Sequence, residues 1–222
     1  MIAKNFLFII ILIFSLASQS RSSSISGAIL ASNFASSKND FKKSAEYTLD
    51  ILNFGIKDFS YYNDALLYLI ASGNFEKAFK LSKEMYDLGL RSPVLGLVLI
   101  IEKVKKEKLN EGFSLINLFE EDLPQLLIYS LRGWIYLKQG KLESALIEFN
   151  NLGKDNLKFD IGSYYSAIAY AQSRNYEAAL KIISINEEKF KLLGKNFEIF
   201  KSELIHKSGN KIGALSSLKE SI

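Results

Sequence analysis

The sequence predicts an all-α fold, a solenoid of about six helix-turn-helix repeats, on three observations. First, six short segments recur: Asn39-Asp40-Phe41 to Ser44, Gly73-Asn74-Phe75 to Ala78, Glu107-Lys108-Leu109 to Gly112, Gly140-Lys141-Leu142 to Ala145, Arg174-Asn175-Tyr176 to Ala179, and Gly209-Asn210-Lys211 to Ala214. Their first residues are 34, 34, 33, 34 and 35 positions apart. A period in this range marks stacked helical units, each too small to bury its own apolar face. Second, apolar residues fall at helical spacing, as in Ala65, Leu66, Leu69 and Ile70 and again in Phe75, Ala78 and Phe79, and no segment shows the two-residue alternation of a strand. Third, two sets of helix breakers share the period.

The first twenty residues stand apart. Lys4 is their only charge, Phe6 to Leu16 is almost unbroken hydrocarbon, and Ala17-Ser18-Gln19-Ser20 supplies small residues. This is the layout of a secretory signal peptide, residues 1–20, cleaved between 17 and 20. Its apolar core of about eleven residues is shorter than the ~20 that a membrane-spanning helix needs. Residues 21–26, rich in serine, are expected to be mobile, and the solenoid is expected to fill residues 27–222.

Within the repeats the breakers set the boundaries. Gly73, Gly140 and Gly209 mark the end of the first helix (A) of a unit, where a left-handed residue suits the turn. Asp40, Asn74 and Asn175 follow as N-caps of the second helix (B). Gly55, Gly89, Gly153 and Gly194 mark the hand-over between units, and Pro93 and Pro124 the start of helix A, where a missing amide costs nothing. The final helix, from Lys211 to Ile222, keeps an apolar stripe of Ile212, Leu215, Leu218 and Ile222. Such an uncapped end predicts self-association, a docked partner or continuation into a longer repeat protein.

Composition narrows the function. The chain has no cysteine, so disulfides, thiolate metal sites and a lipid-modified cysteine are excluded. The net charge of +4 falls to +3 without Lys4, with lysines spread beside almost as many acids, a solvated surface and not a nucleic-acid footprint. The densest basic run, Lys103 to Lys108, falls at the end of a helix, where cations suit the dipole. The one histidine, His206, is read as solvated or capping a helix end, and Glu120-Glu121-Asp122 and Glu187-Glu188 as solvated faces near turns. No phosphate-binding loop, nucleophile-base pair, cofactor signature or metal cluster is legible, so no enzymatic activity is expected.

The fourth unit carries a family likeness. Leu131-Arg132-Gly133-Trp134-Ile135-Tyr136-Leu137-Lys138-Gln139-Gly140-Lys141-Leu142-Glu143-Ser144-Ala145-Leu146, followed by Phe149, resembles the tetratricopeptide repeat pattern. The small residue of helix A is Ser32, Gly133, Ala167 or Ser202 in four units but Leu66 and Ile100 in two, which implies wider helix spacing there. The likeness spans about residues 24 to 222 and implies a right-handed superhelical solenoid, similar to exported bacterial proteins of this type. It also implies a concave groove lined by helix A, holding an extended peptide or a partner helix. Aligned positions put Asn33, Leu67, Ile101, Trp134, Ile168 and Glu203 in one groove column. Ile29, Asn63, Leu97, Ser130, Tyr164 and Ile199 lie one turn earlier. The central partner-binding set is Asn63, Leu67, Leu97, Ile101, Ser130, Trp134, Tyr164 and Ile168, mostly apolar and without the basic row of carboxylate-clamp members. Trp134 and Tyr164 also suit packing between helices.

The expected role is a periplasmic scaffold or adaptor of the bacterial cell envelope that binds another protein, with no nucleic acid and no cofactor. The alternative is a structural subunit of an envelope assembly, held at the inner membrane by an uncleaved N-terminal helix, with self-association through the C-terminal helix.

Overall fold

The computed structural model describes residues 24–152 and 160–220, and every regular element within them is helical. The segment read as a signal peptide and Gly153 lie outside the described residues. Among the described residues, twelve α-helices form six A–B pairs: α1 (Ile25–Ser37) with α2 (Phe41–Asn53), α3 (Phe59–Ala71) with α4 (Phe75–Asp87), α5 (Pro93–Lys105) with α6 (Leu109–Leu118), α7 (Gln125–Lys138) with α8 (Leu142–Leu152), α9 (Ile161–Gln172) with α10 (Tyr176–Phe190), and α11 (Lys195–Lys207) with α12 (Lys211–Glu220). A 3-10 turn, Lys191–Leu193, separates α10 from α11. No helix among the described residues is long and apolar enough to cross a membrane.

The period originates in the turn inside each pair. Asn39, Gly73, Glu107, Gly140, Arg174 and Gly209, the first residues of the six recurring segments, all have positive φ. In each turn the next amide reaches back to a carbonyl five residues earlier, as Asn74 N to Leu69 O at 2.8 Å and Asn175 N to Tyr170 O at 2.9 Å. This left-handed closure satisfies carbonyls that the end of helix A leaves open. Three turns achieve it without glycine.

Caps follow the sequence in part. Asp40 and Asn175 accept from Lys43 N and Ala178 N at 3.1 and 3.2 Å, but Asn74 occupies its N-cap position without a side-chain cap bond. Asp58, Asp160 and Asn210 cap helices that the sequence had left without one. Ser24 caps α1 by accepting from Gly27 N at 3.1 Å, so the first helix begins at Ile25. The expected mobile stretch therefore loses residues 24–26 to the first repeat. Pro93 opens α5 behind Ser92, whose hydroxyl accepts from Leu95 N at 3.1 Å, while Pro124 sits at the N-cap of α7.

The described helices gather into two compact units, the first ending at Leu99 and the second beginning at Ile100, so that the boundary falls inside α5. The first unit centres on buried Ala28, Ala45, Ile51, Leu66, Leu69, Ala78 and Met85. The second is more aromatic, with Phe119, Phe149, Phe190 and Phe197 fully buried. All six small residues of helix B are buried. Opposite them, Ser32 and Ser202 donate from their hydroxyls to the carbonyls of Ser44 and Ala214 at 3.4 and 2.8 Å, tying helix A to helix B. Leu66 forces α3 and α4 into a sparser approach than the pairs built on Ser32 or Gly133.

Candidate partner-binding site

The expected groove residues divide between the units and differ in what they present. In the first unit Leu67 is 41% exposed on α3, while Asn63 and Leu97 are half-buried. In the second unit Ile101 is 44% exposed on α5. These two aliphatic side chains occupy the same helix-A register and face water, as a contact residue must. Asn63 adds a buried Oδ1 that meets no hydrogen-bond donor.

The aromatic members of the set are engaged in packing. Trp134 lies 5.1 Å, ring centre to ring centre, from both Phe149 and Tyr165, which are themselves 5.5 Å apart. Tyr164 packs edge-on against Phe190 at 5.5 Å and Phe200 at 6.0 Å. Burial raises the Tyr164 hydroxyl above its ordinary pKa. Both rings hold repeats together before they offer anything to a partner. Ser130 is not available at all. It is buried, and its hydroxyl donates to Leu126 O at 2.7 Å within its own helix.

Ile168 lines a cleft of about 230 Å³ with Ala171, Gln172, Tyr176, Phe200, Glu203, Leu204 and Lys207. One wall is apolar and the other carries a Glu203–Lys207 ion pair at 2.7 Å. That hydrogen bond raises the Lys207 pKa, so the ammonium stays charged at the rim. Tyr176, Phe200 and Lys207 escaped the sequence reading. The signal for Phe200 was present, since aromatic residues stand two positions before the small residue of helix A at both Tyr165 and Phe200.

Each charged run has members held in ion pairs. Glu111 receives Lys103 at 2.5 Å and Lys108 at 3.1 Å, and both hold its carboxyl below the usual range. Lys106 pairs with Glu102, Glu120 with Arg132, Glu187 with Lys201 and Glu188 with Lys191. His206 is exposed near the end of α11, and its carbonyl accepts from Gly209 N. Among the described residues no group of three or more His, Asp or Glu side chains is placed to hold a metal ion.

No protein-family model matches the chain, and no curated protein matches it in sequence. Solved structures that resemble it are tetratricopeptide repeat proteins. One from Parabacteroides merdae has a TM-score of 0.70 at 14% identity, covering 88% of this chain and 78% of its own. YrrB, a tetratricopeptide repeat protein with an unusual peptide-binding site, has a TM-score of 0.56 at 17% identity, covering 93% and 97%. MamA MSR-1 has a TM-score of 0.51 at 17% identity, covering 73% and 93%. The chain therefore has the tetratricopeptide repeat fold.

Proposed function

We propose that this helical repeat chain is a protein-interaction scaffold of the bacterial cell envelope that holds an extended segment or a helix of a partner protein. The observation that carries the reading lies in the second unit, where Ile101 is exposed and Ile168, at the same helix-A register, lines an apolar-walled cleft; in the first unit, taken by itself, Leu67 at that register is exposed as well. Apolar side chains held in water at a repeated position favour a partner that covers them. A peptide-binding site in YrrB, which shares the fold at low identity, supports the same class of role.

Residues 1–20 have the composition of an export signal, which supports a periplasmic setting. The intact mass of the protein recovered from the envelope tests this. A chain shortened by 17–20 residues fits cleavage, and a full-length chain supports the membrane-anchored alternative.

The contact surface is tested by cross-linked pull-down from the envelope fraction. Leu67→Glu and Ile101→Glu each place a charge on an exposed position, so helicity should hold while partner recovery falls at least about tenfold. Recovery equal to wild type would remove this helix-A column from the reading. Trp134→Glu is the poorer probe, because it would break the Phe149–Tyr165 packing as well.

A further inference from the structure

We infer that the chain self-assembles head to tail, the outward face of α12 in one copy receiving the outward face of α1 in the next. The α12 cleft shares Ile199 and Glu203 with the helix-A columns, but the substitutions that test it, at Leu30, Phe34 and Leu215, lie outside those columns, so either reading can fail without the other.

Internal joints show how one repeat receives the next. Tyr165 of α9 sets its ring against Trp134 and Phe149 of the preceding pair, and Phe200 of α11 lies against Tyr164. Four residues further along helix A, Tyr68 stacks on Phe41 at 6.2 Å and donates to Ser36 Oγ at 3.0 Å, both in the preceding pair. Ala169 and Leu204 hold the same place in α9 and α11 and are buried. Counted from the small residue of helix A, Leu30 stands where Tyr165 and Phe200 stand, and Phe34 where Tyr68, Ala169 and Leu204 stand. Yet Leu30 is 70% exposed and Phe34 67%.

The complementary half of that joint lies on α12. Leu215 follows the helix-B small residue as Phe113 and Leu146 do. Phe113 lies 4.8 Å from the ring of Tyr136 in the next pair, and Leu146 is buried. Leu215 is 62% exposed and borders, with Ile199, Ala214 and Leu218, a cleft of about 570 Å³.

A second copy fits this cleft on chemical grounds as well as by register. Helix α1 carries no charged residue from Ile25 to Ser37, so its Leu30–Phe34 face can enter the apolar floor once the Lys38 ammonium, which lies 5.8 Å over the Phe34 ring, swings out to water on its flexible stem. The polar residues of the cleft, Ser202, Glu203, His206 and Lys211, stand on α11 and the start of α12. Because the two faces differ, the contact is heterologous, and it propagates into open chains or closes as a ring.

Sedimentation velocity of the full chain, from micromolar to near-millimolar concentration, tests the inference. The expected result is a mass that climbs past the dimer with concentration. Phe34→Asp and Leu215→Asp each weaken association at least about tenfold while circular dichroism stays unchanged, and Leu30→Asp repeats the first result. Mixed together, Phe34→Asp and Leu215→Asp protein form a one-to-one dimer and nothing larger, since each keeps one intact face. A monomer at every concentration overturns the inference, and assigns the faces to cover within the chain or by a different protein. A dimer that survives Phe34→Asp overturns it too, in favour of two α12 faces meeting symmetrically.

Discussion

Gly133 and Gly112 both hold small-residue positions, for opposite reasons. A Cβ on Gly133 would stand 2.3 Å from the Phe149 ring, which is fully buried between Trp134 and Tyr165 and has nowhere to move. A Cβ on Gly112 would meet Ile135 and Val104 at 3.5 Å, an ordinary contact. Gly133→Ala should therefore destabilise the protein by about 1–3 kcal/mol through overpacking, while Gly112→Ala should stabilise it by up to ~1 kcal/mol through helix propensity. Urea midpoints at constant slope check both signs. At the turns the logic reverses. Arg174 holds φ 61 where other repeats place glycine, and Arg174→Gly should raise stability by about 1 kcal/mol in the same assay, because the left-handed region penalises a Cβ. The glycine turns were legible in the sequence because few other residues tolerate that backbone. Asn39, Glu107 and Arg174 were legible only through the period. The failure of Asn74 to cap was not legible, since its position and residue type match those of Asn175, which does cap.

Helix α10 is the element that departs most from the repeat. It runs 15 residues, carries a non-helical Asn186 (φ −114, ψ 15) whose Nδ2 donates to Ile182 O at 3.1 Å, and ends in a 3-10 turn at Gly194. With φ 62 and ψ −145, Gly194 occupies a region essentially closed to other residues. The single 35-residue interval in the sequence falls across this joint, but the kink itself left no mark in composition. Across it, Glu187 of α10 accepts from Lys201 of α11 at 2.7 Å, and this bond holds the carboxyl below its ordinary range. The folded pKa thus lies below the unfolded one, near ~4.3, so the pair's contribution is present above that value and is lost as pH falls through the folded pKa. Glu187→Gln should flatten this part of the acid-side loss in a series of denaturation curves between neutral pH and pH 3. An unchanged acid limb would mean the pair adds nothing. The helices were readable because turn and apolar spacing agree locally, whereas the kink depends on a side chain finding a carbonyl one turn back.

At the scale of the molecule, six pairs and their order were legible from one repeated turn, since each pair must bury the same face against its neighbours. The contact surface was less so. Leu67, Ile101 and Trp134 share one register, yet the first two face water and the third fills a joint between aromatic neighbours. Register fixes where a side chain starts, and the size of its neighbours fixes where it ends. A repeat array also unfolds as coupled neighbours and not always as one block. The lone tryptophan gives this an optical handle. Its indole sits at the joint of the fourth and fifth pairs, within the second unit, so its emission reports that joint alone, while far-ultraviolet circular dichroism averages every helix. Coincident melts by the two signals would mean that the array behaves as a single cooperative block. An earlier or later fluorescence transition would make Trp134 a gauge of how far one repeat's loss travels to the rest.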